Sequence, residues 1–225
     1  MNRKGITFSL KYMLMTYRLD MLWLPVAFWA LFTIIAWMTL GEPTGFDVTT
    51  AYLGAALPLI GGVLAAYAVL EDPALELQFA TPRPAWLMLL ERLGVILVVA
   101  ALCALSYQGI VTLLGIDLSP LGNLAVRQLA WMAPTLASMA LGSAVSFAVR
   151  QSMAGAAVTG LVWIIQILLH DWFLTSPWAC YLLLFMGSNY PTHPALAGNR
   201  AVLSGLAALL LLAAWALLRR QERYI

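Results

Sequence analysis

Charge is scarce in this sequence. Its 225 residues include twelve Lys and Arg and ten Asp and Glu, 10% of the chain, against 63% hydrophobic residues. Soluble domains run near about 25% charged and about 45–50% apolar. A soluble fold of this length has no polar coat large enough to close over so much apolar surface. The deficit therefore points to a polytopic protein with lipid as the solvent for much of its surface. The net charge of +2 is too small to suggest nucleic acid as a partner. Cysteine is scarce too: Cys103 and Cys180 form no C-x-x-C pair, imply neither a disulfide framework nor a metal site, and read as small apolar fillers. The two histidines, His170 and His193, are too few and too loop-like for paired haem ligation, and no H-E-x-x-H is present.

Further absences bear on energy and chemistry. There is no G-x-x-x-x-G-K-[ST], so the usual phosphate-cradling loop is missing. No Asp, Glu, Lys or Arg falls at the middle of an apolar run. Such a charge costs about 2.5–3.5 kcal/mol on insertion scales, and ion-coupled carriers retain one because it binds the coupling ion. The argument is strong against proton coupling and weaker against sodium, whose sites can be built from carbonyls and hydroxyls. Leu203-Ser204-Gly205 lacks the first glycine of G-x-S-G, and neither histidine lies mid-span to serve a membrane-embedded serine protease. The expectation is a non-enzyme that binds no cofactor or metal and, if it transports, takes its energy from elsewhere.

What is present is a series of long apolar runs. Residues 1–20 place Lys4, Lys11 and Arg18 seven apart on one helical face, with Ile6, Leu10, Met13, Leu14 and Tyr17 broadly opposite. This reads as an amphipathic helix at the cytoplasmic interface rather than a cleaved signal, the alternative being a frayed tail. A single transmembrane domain, 21–225, follows. Its expected spans are Met21–Leu40, Ala51–Leu70, Leu93–Leu114, Arg127–Val149, Ala154–His170 and Ala201–Leu218. Two of them carry a small-residue stripe every four positions that admits a close helix neighbour: Gly54, Pro58, Gly62 and Ala66, and Pro134, Ser138, Gly142 and Ser146. Pro58 is expected to kink its helix. The 171–199 region holds Trp178–Gly187, too short to cross, between Pro177 and Pro191. It reads as a re-entrant or interfacial helical hairpin on the outside, or alternatively as a further span. Ten of the twelve basic residues fall on one side of this six-span plan, only Arg127 and Arg200 on the other, which puts both termini in the cytoplasm.

Mild polar residues interrupt the spans. Tyr107, Gln108, Ser138, Ser146 and Gln166 are candidates for the lining of a path for an amphipathic substrate. Taken singly, each reads first as an interhelical hydrogen-bonding group worth about 0.6 kcal/mol.

The remaining feature is the charged, proline-broken stretch Glu71 to Arg92 between the second and third spans. Glu71 and Asp72 precede Leu75-Glu76-Leu77, then Ala80-Thr81-Pro82, and Arg92 opens the next span. This order resembles the cytoplasmic segment between spans two and three of type-2 ABC exporter permeases. Ala74 stands where many members have glycine. The resemblance extends to the plan of nearly the whole chain, which is similar to that of haem-exporter membrane subunits. It implies a permease subunit of a bacterial inner (cytoplasmic) membrane exporter, multi-pass, paired with a second copy or a related permease. It also implies docking to a separate cytoplasmic ATPase that would hold the ATP and magnesium. Glu71, Asp72, Leu75, Glu76, Gln78 and Phe79 would then form the ATPase-coupling site, with Arg83 and Arg92 as interface anchors. The other class of function compatible with these residues is a membrane scaffold or assembly subunit whose spans serve only as packing surfaces.

Overall fold

The structure, a computed structural model, describes residues 23–42, 44–68, 70–71 and 85–219. The 1–20 helix, most of the coupling segment and the last six residues lie outside them. Among the described residues the regular elements are helical. They are α1 (Trp23–Met38), α2 (Thr44–Ala51), a π-turn (Tyr52–Ala56), α3 (Leu57–Tyr67), α4 (Ala85–Leu113), α5 (Leu124–Val149), α6 (Ser152–Leu168), α7 (His170–Thr175), α8 (Met186–Asn189) and α9 (Leu196–Leu218). Short 3-10 turns at Ser119–Leu121 and Ala179–Leu182 complete the set.

Four helical rods are long and apolar enough to cross a membrane: Thr44–Tyr67, Trp86–Leu113, Leu124–Val149 and Leu196–Leu218. Trp23–Met38 and Ser152–Leu168 are apolar but shorter. A 16-residue helix rises about 24 Å, under the roughly 30 Å of a bilayer's hydrocarbon core. The rods run antiparallel in sequence, so one end of the bundle carries the connections 39–43, 114–123 and 169–195. The other carries 68–84 and the turn at Arg150 and Gln151.

Several boundaries differ from the hydropathy reading, each for a local reason. The second rod begins at Thr44, not Ala51. Its first turns are polar, but Asp47 lies in the first turn, where a carboxylate complements the helix dipole. Thr49 returns its hydroxyl to the carbonyl of Gly45. The fourth begins at Leu124 because Asn123 caps it, its side chain accepting the N–H of Val126 at 3.0 Å. The third begins at Ala85 and so takes Glu91 and Arg92 into the helix. Between 171 and 199 there is no two-helix hairpin. A chain of short turns, α7, a 3-10 turn and α8, fills the region instead; Pro177 bars a continuation of α7, and Pro191 one of α8.

α5 is the hub, packed against α3, α6 and α9. The two small-residue stripes meet there. A methyl group at Gly142 would overlap the carbonyl oxygen of Gly62, and one at Gly155 on α6 would overlap the Ser146 hydroxyl. Three backbones thus converge where only hydrogen side chains fit, the use expected of such stripes in a lipid solvent. Pro58 has no N–H to offer the Gly54 carbonyl four residues earlier, and the helix widens into the π-turn Tyr52–Ala56 just before it.

Candidate functional site

At the 68–84 end, the two borders of the connecting segment are fastened to the bundle. Glu71 is exposed, yet its Oε1 accepts a hydrogen bond from the hydroxyl of Ser152, the first residue of α6. Gln151 provides no side-chain cap there. A carboxylate from another element therefore stands at the positive end of α6, where a helix dipole favours it. On the far border, Arg92 is 6% exposed and its Nη1 donates to the Ala68 carbonyl at the end of α3. The structure thus corrects the reading of Arg92 as an interface anchor. It projects into the bundle, because a helix that starts at Ala85 turns that position toward α3. Arg150 closes α5 in the left-handed conformation, φ 61°, and its N–H returns to Ser146. The turn between α5 and α6 is thereby tight enough to keep Ser152 beside Glu71.

Of the six residues proposed for coupling, the structure describes Glu71. Asp72, Leu75, Glu76, Gln78 and Phe79 lie outside the described residues, as does Arg83.

The five path candidates occupy four places. Gln108 and Gln128 exchange hydrogen bonds between α4 and α5, at 3.0 and 3.3 Å, and Trp131 donates its indole N–H to Gln128. Tyr107 stacks on Tyr52 with ring centroids 4.4 Å apart. Its hydroxyl faces Thr49 without a hydrogen bond of good geometry. Ser146 sits in the glycine seam, its hydroxyl buried and without a partner. Ser138 and Gln166 come together on a cavity between α5, α6 and α9. Gln166 uses both ends of its amide on backbone: Nε2 donates to Leu182 at 3.1 Å and Oε1 accepts from the Leu184 N–H at 2.8 Å.

The 169–195 end is sealed by buried polar side chains that sequence reading passed over. Asn199 donates to the carbonyls of Cys180, Tyr181 and Leu183, at 3.1, 3.1 and 2.9 Å. Trp163 donates to Ala55 in the π-turn at 2.9 Å. Ser188 of α8 lies against Gly54, where a methyl group would overlap its hydroxyl. Gly54 is the eleventh residue of its rod, so α8 reaches roughly 15 Å into the bundle. Arg200 donates to Val126 at 3.0 Å, while its Nε and Nη2 are buried without partners. Pro58 was the available signal for this docking point, since a proline-broken helix offers carbonyls for other groups to use. Nothing in sequence spacing pointed to Asn199, Gln128 or Ser152.

At the 114–123 connection, the Ser119 hydroxyl and N–H hydrogen-bond Asp117, at 2.6 and 2.8 Å, and hold its carboxyl below the ordinary carboxylate range, with a smaller contribution from the charge of Arg127. Among the described residues no group of three or more His, Cys, Asp or Glu is placed to hold a metal ion.

Fold and site together define an all-α, multi-pass membrane protein. Compared with protein-family models, curated proteins and solved structures, the chain matches none.

Proposed function

We propose that the chain is the membrane-spanning permease subunit of an ATP-driven ABC transporter, an exporter of an amphipathic or hydrophobic substrate. In this reading it has six spans, with α1 and α6 completing the count, and both termini in the cytoplasm of a bacterial inner membrane. The turns of 171–199 re-enter from the outer face. A second copy or a related permease completes the pathway, and a cytoplasmic ATPase docks on the 71–92 segment.

One observation supports the reading above the others. Both borders of that segment are tied to the bundle, Glu71 to α6 and Arg92 to α3. A near-complete switch of a two-state transporter needs about 5.5 kcal/mol of differential binding. A motor acting on a loosely hung loop delivers none of it. One acting on a segment clamped to two helices displaces both.

The experiment is purification in mild detergent followed by assay of the co-purifying subunit. The expected partner carries a nucleotide-binding loop. Glu76→Lys, or Leu75 and Phe79 both to Asp, leaves membrane insertion intact and uncouples ATP hydrolysis from transport. If those variants transport normally and hold the ATPase, the coupling assignment fails. If no nucleotide-binding subunit accompanies the wild-type protein, the scaffold reading replaces it.

A further inference from the structure

The cavity that gathers Ser138 and Gln166 has a volume of about 230 Å³. Eight of its ten lining residues are aliphatic, and none is aromatic or charged. Both ends of the Gln166 amide are engaged by the 182–184 turn, which leaves it one N–H and one oxygen lone pair. That pinning holds Leu182 and Leu184 in place as part of the wall. The Ser138 hydroxyl is the other side-chain polar group of an otherwise aliphatic lining. A polar guest would shed its hydration and find little in return.

Size narrows the guest further. A dry aliphatic cavity of about 150 Å³ accepts benzene, so this one holds roughly nine carbons. Pockets for drug-sized molecules start near about 300 Å³, so a macrocycle does not fit. Its floor is closed, Leu203 at 1% exposure, whereas Leu206 one turn along α9 is 37% exposed. α9 buries only 22% of its apolar window, so the mouth faces the lipid side of the bundle.

We propose that this cavity receives the terminal carbons of a single hydrocarbon chain, belonging to an amphiphile that enters sideways from the membrane past Leu206. The proposal deepens the exporter reading by naming the class of substrate tail, and to that extent rests on it.

The test uses the purified full chain and two probes with a photoreactive diazirine near the chain terminus: a single-chain alkyl phosphocholine and a diacyl phosphatidylcholine. The single-chain probe is expected to label peptides containing Ala137–Leu141 and Leu203–Leu210. Labelling falls about tenfold in Leu206→Trp, which blocks the mouth, and is unchanged in Leu209→Trp, whose side chain is outside the lining. Both variants are first matched to wild type in melting temperature, and Leu206→Phe replaces Leu206→Trp if the latter misfolds, with an intermediate fall expected. Labelling that follows exposed positions such as Val98, Leu102 and Leu212 and ignores Leu206→Trp overturns the proposal in favour of ordinary boundary lipid. Preferential capture of the diacyl probe overturns the single-chain assignment. Neither probe needs the ATPase, so the cavity can stand where the exporter reading falls, and the reverse.

Discussion

The two ends of the bundle are built differently. At the end carrying 114–123 and 169–195, side-chain amides cross-link the elements: Asn199 binds three carbonyls, Gln166 two backbone groups, and Gln108 and Gln128 one another. The short α8 is wedged to the depth of Gly54. At the other end, Glu71 on Ser152 and Arg92 on Ala68 flank a charged segment, and the first of these lies at the surface. Among the described residues the first end is held by several bonds to backbone, and the second through Glu71 and Arg92 at the borders of the 71–92 segment. In the proposed transporter a motor that moves that segment would act on α3 and α6 through those two contacts.

The comparison is broken most severely at Asn199. Replacing it with Ala strands the carbonyls of Tyr181 and Leu183 and leaves Cys180 only the Leu183 N–H, a loss of about 2 to 3 kcal/mol that should appear as a large fall in melting temperature in detergent. If the melting point barely moves, the 169–195 end is not the rigid one. Arg92→Met keeps the apolar stem and removes the bond to Ala68, and should cost about 2 kcal/mol in the same assay. Smaller and specific to function, Glu71→Ala and Ser152→Ala should each leave melting within about 0.5 kcal/mol of wild type and lower substrate-stimulated ATP hydrolysis in the assembled complex. The double variant should do no more than either single one, because they break the same contact. The last effect is a gain. Arg150→Gly relieves a side chain held at positive φ and should raise stability by about 1 kcal/mol.

Much of the fold was legible in the sequence, because lipid imposes length and hydropathy on any helix that crosses it. The four long rods, their order and the stripes that bring Gly62, Gly142 and Gly155 together follow from that rule. Helix starts were harder. Thr44 begins its helix in a polar stretch with Asp47 in the first turn, and Leu124 begins where Asn123 caps it, features on which hydropathy is silent. Arg92 shows the same limit: a basic residue near a span end reads as an anchor in sequence, and only the rotation of the helix reveals that it turns inward. The candidate path divided for a comparable reason. Tyr107, Ser146 and Gln166 are equally polar interruptions in sequence, but one stacks on an aromatic ring, one lies in a glycine seam and one pins a turn. Spacing along one helix cannot say which neighbour a side chain will meet.

The most direct test of the coupling claim is site-specific photo-crosslinking in intact cells. A photoreactive residue placed at Phe79 should capture a cytoplasmic protein bearing G-x-x-x-x-G-K-[ST], and the same residue at Ser119, on the opposite end, should not. Capture of no nucleotide-binding protein at Phe79, or equal capture at Ser119, would contradict the account.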